Sequence, residues 1–146
     1  MDNDYEDVVT PEGFQDDGEW VKGEVGLTLT GQLTKAFLFE GDESKLQAAY
    51  VIKGVMTTPS GKPKEGAFNF SERYSIREAI RAMRIGAEVK LTWVEQVEHP
   101  KKKKQTIWRM RLSAHRTNRG TGENVLALLT AQYQKMQGAT DNSVPF

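Results

Sequence analysis

Ser75-Ile76-Arg77-Glu78-Ala79-Ile80-Arg81-Ala82-Met83, continued by Arg84-Ile85-Gly86, is where the pattern of this chain changes period. Ile76, Ala79, Ile80 and Met83 fall at helical spacing and make one apolar stripe. Ser75, with Glu78 three residues on, reads as a capping box, and Gly86 as the stop. The segments on either side alternate with period 2, the mark of strands with one buried face. A single short helix therefore interrupts a β-chain.

Three strands are expected before that helix, over residues 21–39, 46–56 and 67–70, and two after it, over 88–97 and 105–115. In the first, Val25, Leu27, Leu29 and Leu33 share one parity, and Glu24, Thr28, Thr30 and Gln32 the other. Gly23, Gly26 and Gly31 let this long strand coil or bulge. In the fourth, Val89, Leu91 and Trp93 face in, with Lys90, Thr92 and Val94 opposite. In the fifth, Trp108, Met110 and Leu112 face in while Ile107, Arg109 and Arg111 face out. Residues 40–44 read as a turn, and 57–66 as a loop rich in Pro and Gly. Residues 117–122 read as a linker, and 124–136 as a second helix with Val125, Leu128, Leu129 and Gln132 on one stripe.

At 146 residues, with 38 % hydrophobic and 27 % charged content, the chain fits one domain with a real core. It has no Cys, which removes disulfides, thiol nucleophiles and cysteine metal sites. His99 and His115 are the only histidines, and no metal-ligand spacing involves them. No apolar run approaches a membrane span, so a cytoplasmic location is the expectation. The net charge of zero conceals an asymmetry. Residues 1–19 carry eight acids and no base; residues 20–119 carry nineteen Lys/Arg against ten Asp/Glu. An acidic arm on a basic body points to a polyanionic partner, or else merely keeps the chain soluble.

Strand-strand-strand-helix-strand-strand is the order of a five-stranded OB-fold barrel, where the helix between strands three and four plugs the bottom. The expected fold is therefore mainly β: a barrel over residues 20–116, an acidic arm over 1–19, a linker and helix over 117–136, and a tail over 137–146. Over residues 20–116 the chain resembles phage and bacterial OB-fold single-stranded-DNA-binding proteins. The tail adds a second likeness. Asp141 precedes Val144-Pro145-Phe146, an aliphatic-Pro-Phe tip, although the family's tips hold several acids and this one holds a single Asp. The resemblance implies single-stranded DNA as ligand, no cofactor, and recruitment of replication or recombination proteins through Asp141, Val144, Pro145 and Phe146. It also puts the binding site on strands two and three, between the loops that join strands one and two and strands four and five.

Such binding needs cations for phosphates and ring faces for bases. Candidate cations are Lys35, Lys53, Lys62, Lys64, Arg73, Lys90, the run Lys101-Lys102-Lys103-Lys104, Arg109 and Arg111. The lysine run also fits a solvated hairpin tip. Candidate rings are Phe37 and Phe39 beside the first turn, Tyr50 and Tyr74, and Phe68 and Phe70, which suit core or platform equally. Trp93 and Trp108 share parity with core aliphatics, and Trp20 reads as a plug closing the barrel. The acidic arm is either a solubilising end or a competitor for the basic groove. No nucleophile-base pair and no phosphate loop argues for an enzyme. An OB-type RNA-binding or protein-interaction module is the rival reading, since fold does not decide function. The helix over 124–136 fits a barrel cap or a homo-oligomer contact.

Overall fold

The computed structural model describes residues 18–41, 45–102 and 104–137. Most of the acidic arm, part of the turn after the first expected strand, Lys103, and Asp141, Val144, Pro145 and Phe146 lie outside the described residues. Among those described, six strands form one sheet: β1 (Glu19–Trp20), β2 (Thr28–Glu40), β3 (Leu46–Thr57), β4 (Lys64–Ser71), β5 (Glu88–Glu98) and β6 (Thr106–Ala114). Their order is β1-β4-β3-β2-β5-β6, with β1 and β6 as edges and no ladder closing the sheet. All pairs are antiparallel except β1 with β4. A 3-10 turn (Tyr74–Ile76) leads into α1 (Arg77–Arg81), and α2 (Val125–Gln137) follows the last strand. No helix of the described residues is long and apolar enough to cross a membrane.

The five expected strands correspond to β2 through β6. The first begins at Thr28 rather than residue 21, because Gly26 takes φ 91° in a turn just before it. Gly31 and Gly54 stand opposite each other across β2 and β3. A Cβ on either would strike the partner strand's backbone, so the two strands approach there as only glycines allow. A bulge between Leu33 and Lys35 then shifts the register. Bulges bend a strand and reverse which side chains face the core. Leu29 and Leu33 point into the core before it; Ala36 and Leu38, of opposite parity, do so after it.

The core fills one face of this coiled sheet. Tyr50 and Ile52 of β3, Phe68 and Phe70 of β4, Leu91 and Trp93 of β5, and Met110 of β6 surround Ile76 and Ile80 from the helical segment. Val125 and Leu129 of α2 join from outside the sheet. Beyond Gln32, β2 has lost β5 as a neighbour. Gln132 of α2 takes that place: its amide nitrogen donates to the Ala36 carbonyl at 2.9 Å, and its oxygen accepts the Leu38 N–H at 2.9 Å. An exposed stretch of strand edge is thereby satisfied by a side chain.

Ser75 corrects the capping-box expectation. Its hydroxyl donates to the Trp108 carbonyl at 3.0 Å and accepts the Met110 N–H at 3.1 Å. It thus ties the chain after β4 to β6 and caps no helix; α1 starts at Arg77 with no side-chain cap. Glu72 makes a second tie. Its carboxylate, 4 % exposed, accepts the Tyr50 hydroxyl at 2.5 Å, Arg77 Nε at 3.0 Å, and both Arg81 Nε and Nη2 at 2.8–2.9 Å. Burial, and then the neighbouring carboxylate, push the Tyr50 hydroxyl well above its ordinary pKa.

Candidate nucleic-acid interface

The bulge in β2 places aromatic residues on the outer side of the sheet. Phe37 and Phe39 have the parity of Leu33, yet the shift turns them away from the main core. On that outer face they pack with Ala49 and Val51 of β3 and Ala67 of β4 in a small cluster of their own. Across it comes Trp20. Its ring centroid lies 5.3 Å from Phe39 at an interplanar angle of 51°, and 6.3 Å from Phe37 at 75°. Phe37 and Phe39 are themselves 6.3 Å apart. The indole is 46 % exposed, whereas Phe37 beneath it is only 6 % exposed.

Two lysines share this face with the rings. Lys35 is half-buried on β2 opposite Val51, and Lys53 is exposed on β3 opposite Gln32 and Ala67. Lys64, at the start of β4, has the parity of Phe68 and so lies to the other side of the sheet, exposed and bonded to Glu19 at 2.6 Å. Lys62 is exposed in the loop before it.

The remaining candidates fall elsewhere. Tyr50, Phe68 and Phe70 are core residues, buried within the curled sheet, and offer no ring face to a ligand; this corrects their assignment as stacking residues. Lys90, Arg109 and Arg111 lie exposed on β5 and β6, with Arg109 ion-paired to Glu95. The register sets Lys90 and Arg111 beside the first residues of β2, away from Phe37 and Phe39. Tyr74 is 72 % exposed in the 3-10 turn, its ring 6.0 Å from the Arg77 guanidinium, with Arg73 exposed beside it. Lys101, Lys102 and Lys104 are exposed on a tight β5–β6 hairpin whose backbone is fastened by His99: Nδ1 accepts the N–H groups of Lys101 and Lys102 at 3.0 and 3.1 Å. The register puts this hairpin at the end of the sheet where β2 begins; Phe37 and Phe39 lie where it finishes.

Two residues of the outer face escaped the sequence reading. Trp20 is not the closing plug expected of it but an edge-strand residue lying over the face. Asn69 is fully buried there, its Nδ2 donating to the Gly18 carbonyl at 3.1 Å while its Oδ1 has no partner. Its signal was present: in Phe68-Asn69-Phe70, alternation puts the amide on the side away from both core rings. No protein-family model, curated protein or solved structure matches this chain.

Proposed function

We propose that this chain binds single-stranded DNA without strong sequence preference, on the outer face of β2, β3 and β4. The observation that carries the reading is the clustering of Phe37 and Phe39 on that face, outside the main core and flanked by Lys35 and Lys53. Ring faces accept any base, and the cations neutralise phosphate without reading sequence. In this reading the open sheet is an OB-type barrel in which the Ser75 bridge stands where the last ladder would be. Strand order β4-β3-β2-β5-β6, with a helical segment between β4 and β5, supports it. The biological role that follows is protection of single strands during replication or recombination in the cytoplasm, with partner enzymes recruited through Val144-Pro145-Phe146.

Photo-crosslinking tests the location. An oligo-dT carrying 4-thiothymidine, irradiated with the full chain and mapped by mass spectrometry, is expected to label the peptide holding Phe37 and Phe39. Adducts confined to β5 and β6, or none, would refute the assignment. Equal labelling by RNA would favour the rival RNA-binding module.

A further inference from the structure

The outer face is already occupied. Gly18, Glu19, Trp20 and Val21 run along the β4 edge, and two of them make a contact of a kind that a nucleotide strand makes. The Trp20 indole covers Phe37 and Phe39, as a stacked base would. The Glu19 carboxylate takes Lys64 at 2.6 Å; both have the parity of Phe68, so this pair fastens the strap from the other side of the sheet. The Gly18 carbonyl takes the Asn69 amide, as a base edge would.

This strap is lightly held. β1 has two residues, and it pairs parallel with β4 through Glu19↔Phe68 and Trp20↔Asn69. Val21 adds one hydrogen bond, its N–H to the Asn69 carbonyl at 2.9 Å. Against these stands a defect: the strap leaves Asn69 Oδ1 buried and unpaired. A buried orphan acceptor is costly, and removing the cover relieves it. The fit is also tight, because a Cβ on Gly18 would come within 2.5 Å of the Ala67 carbonyl oxygen and 2.8 Å of Asn69 Oδ1. Seven further acids precede Gly18 in the sequence. They share the sign of a phosphate backbone.

We infer that residues 18–21 are a self-ligand that occupies the nucleotide-binding face and must leave it for single-stranded DNA to bind. The inference rests on the reading above and adds two things to it. Phe37, Phe39 and Asn69 form the vacated subsite, with the Asn69 amide free to bond a base edge. Trp20 is then a competitor and not part of the platform. Affinity is lowered by the fraction of molecules in which the strap is seated.

Two measurements on the full chain test this. The first is hydrogen exchange followed by NMR, with and without saturating oligo-dT. The Val21 amide is expected to exchange faster once DNA is bound, while amides of Tyr50 and Ile52 keep their protection. The second is oligo-dT affinity of Trp20→Ala and Glu19→Gln, both expected to bind more tightly, by roughly tenfold for Trp20→Ala if the strap is seated nine times in ten. Slower Val21 exchange, or equal or weaker binding by Trp20→Ala, overturns the strap while leaving the binding face in place. Absence of binding by wild type and variants alike overturns the binding face itself, and the strap with it.

Discussion

Phe39→Ala is the substitution that most cleanly separates stacking from charge. The Phe39 ring is half-buried, 6.3 Å from Phe37, and belongs to the small outer cluster. A base stacked on an aromatic ring contributes about 1–3 kcal/mol. At about 1.4 kcal/mol per tenfold, its loss raises Kd roughly 5- to 150-fold. Phe39 also holds Trp20, so truncation loosens the strap and offsets part of the loss; the lower half of that range is expected. Fully buried Phe→Ala changes cost about 3–5 kcal/mol, and a half-buried outer ring should cost about 1–2 kcal/mol. A domain stable by about 5–15 kcal/mol survives that. The assay is fluorescence anisotropy with labelled oligo-dT at several salt concentrations, beside urea unfolding of the same variant. No charge is removed, so the slope of log Kd against log salt should not change. An unaltered Kd in a variant that unfolds cooperatively would refute stacking on this face. A changed slope would mean that Phe39 acts by positioning phosphate contacts.

Lys53→Gln should do the reverse, weakening binding modestly while lowering the salt slope by about 0.7, one single-strand phosphate, in the same titration. Glu72→Gln should lower stability by about 3–5 kcal/mol in urea unfolding, because it removes the buried charge that holds Arg77 and Arg81. Stability should also fall as pH rises above 10.0, the ordinary Tyr value: Tyr50 keeps its proton in the folded state and loses it in the unfolded one. Tyr50→Phe should flatten that part of a denaturation series taken against pH.

Most of the sheet was legible because a buried face writes period 2 into the sequence. Val89, Leu91 and Trp93, with Lys90 and Thr92 opposite, needed no tertiary information. The binding face was harder to read because it depends on a fault in that period. Leu33 and Phe37 have the same parity, and only the register shift between Leu33 and Lys35 sends one inward and the other outward. Phe68 and Phe70 were ambiguous for the opposite reason: a short strand with one aromatic face does not say which face is wet. Trp20 was misread because a two-residue strand has no period at all. Ser75 satisfied a helix-capping pattern but found better partners in the backbone of β6, a contact between residues more than thirty positions apart. Tyr50 looked like a stacking residue by type, yet its hydroxyl is used by Glu72 inside the core.

The central claim is that this sheet binds single strands through the Phe37 and Phe39 rings of its outer face and the lysines beside them. Its most direct test is an equilibrium anisotropy titration of the full chain against labelled oligo-dT, with duplex DNA and RNA of equal length, at low and high salt. The account predicts binding to oligo-dT that is tighter than to duplex and weakens as salt rises. Binding to none of the three, or to duplex as tightly as to single strands, would contradict it.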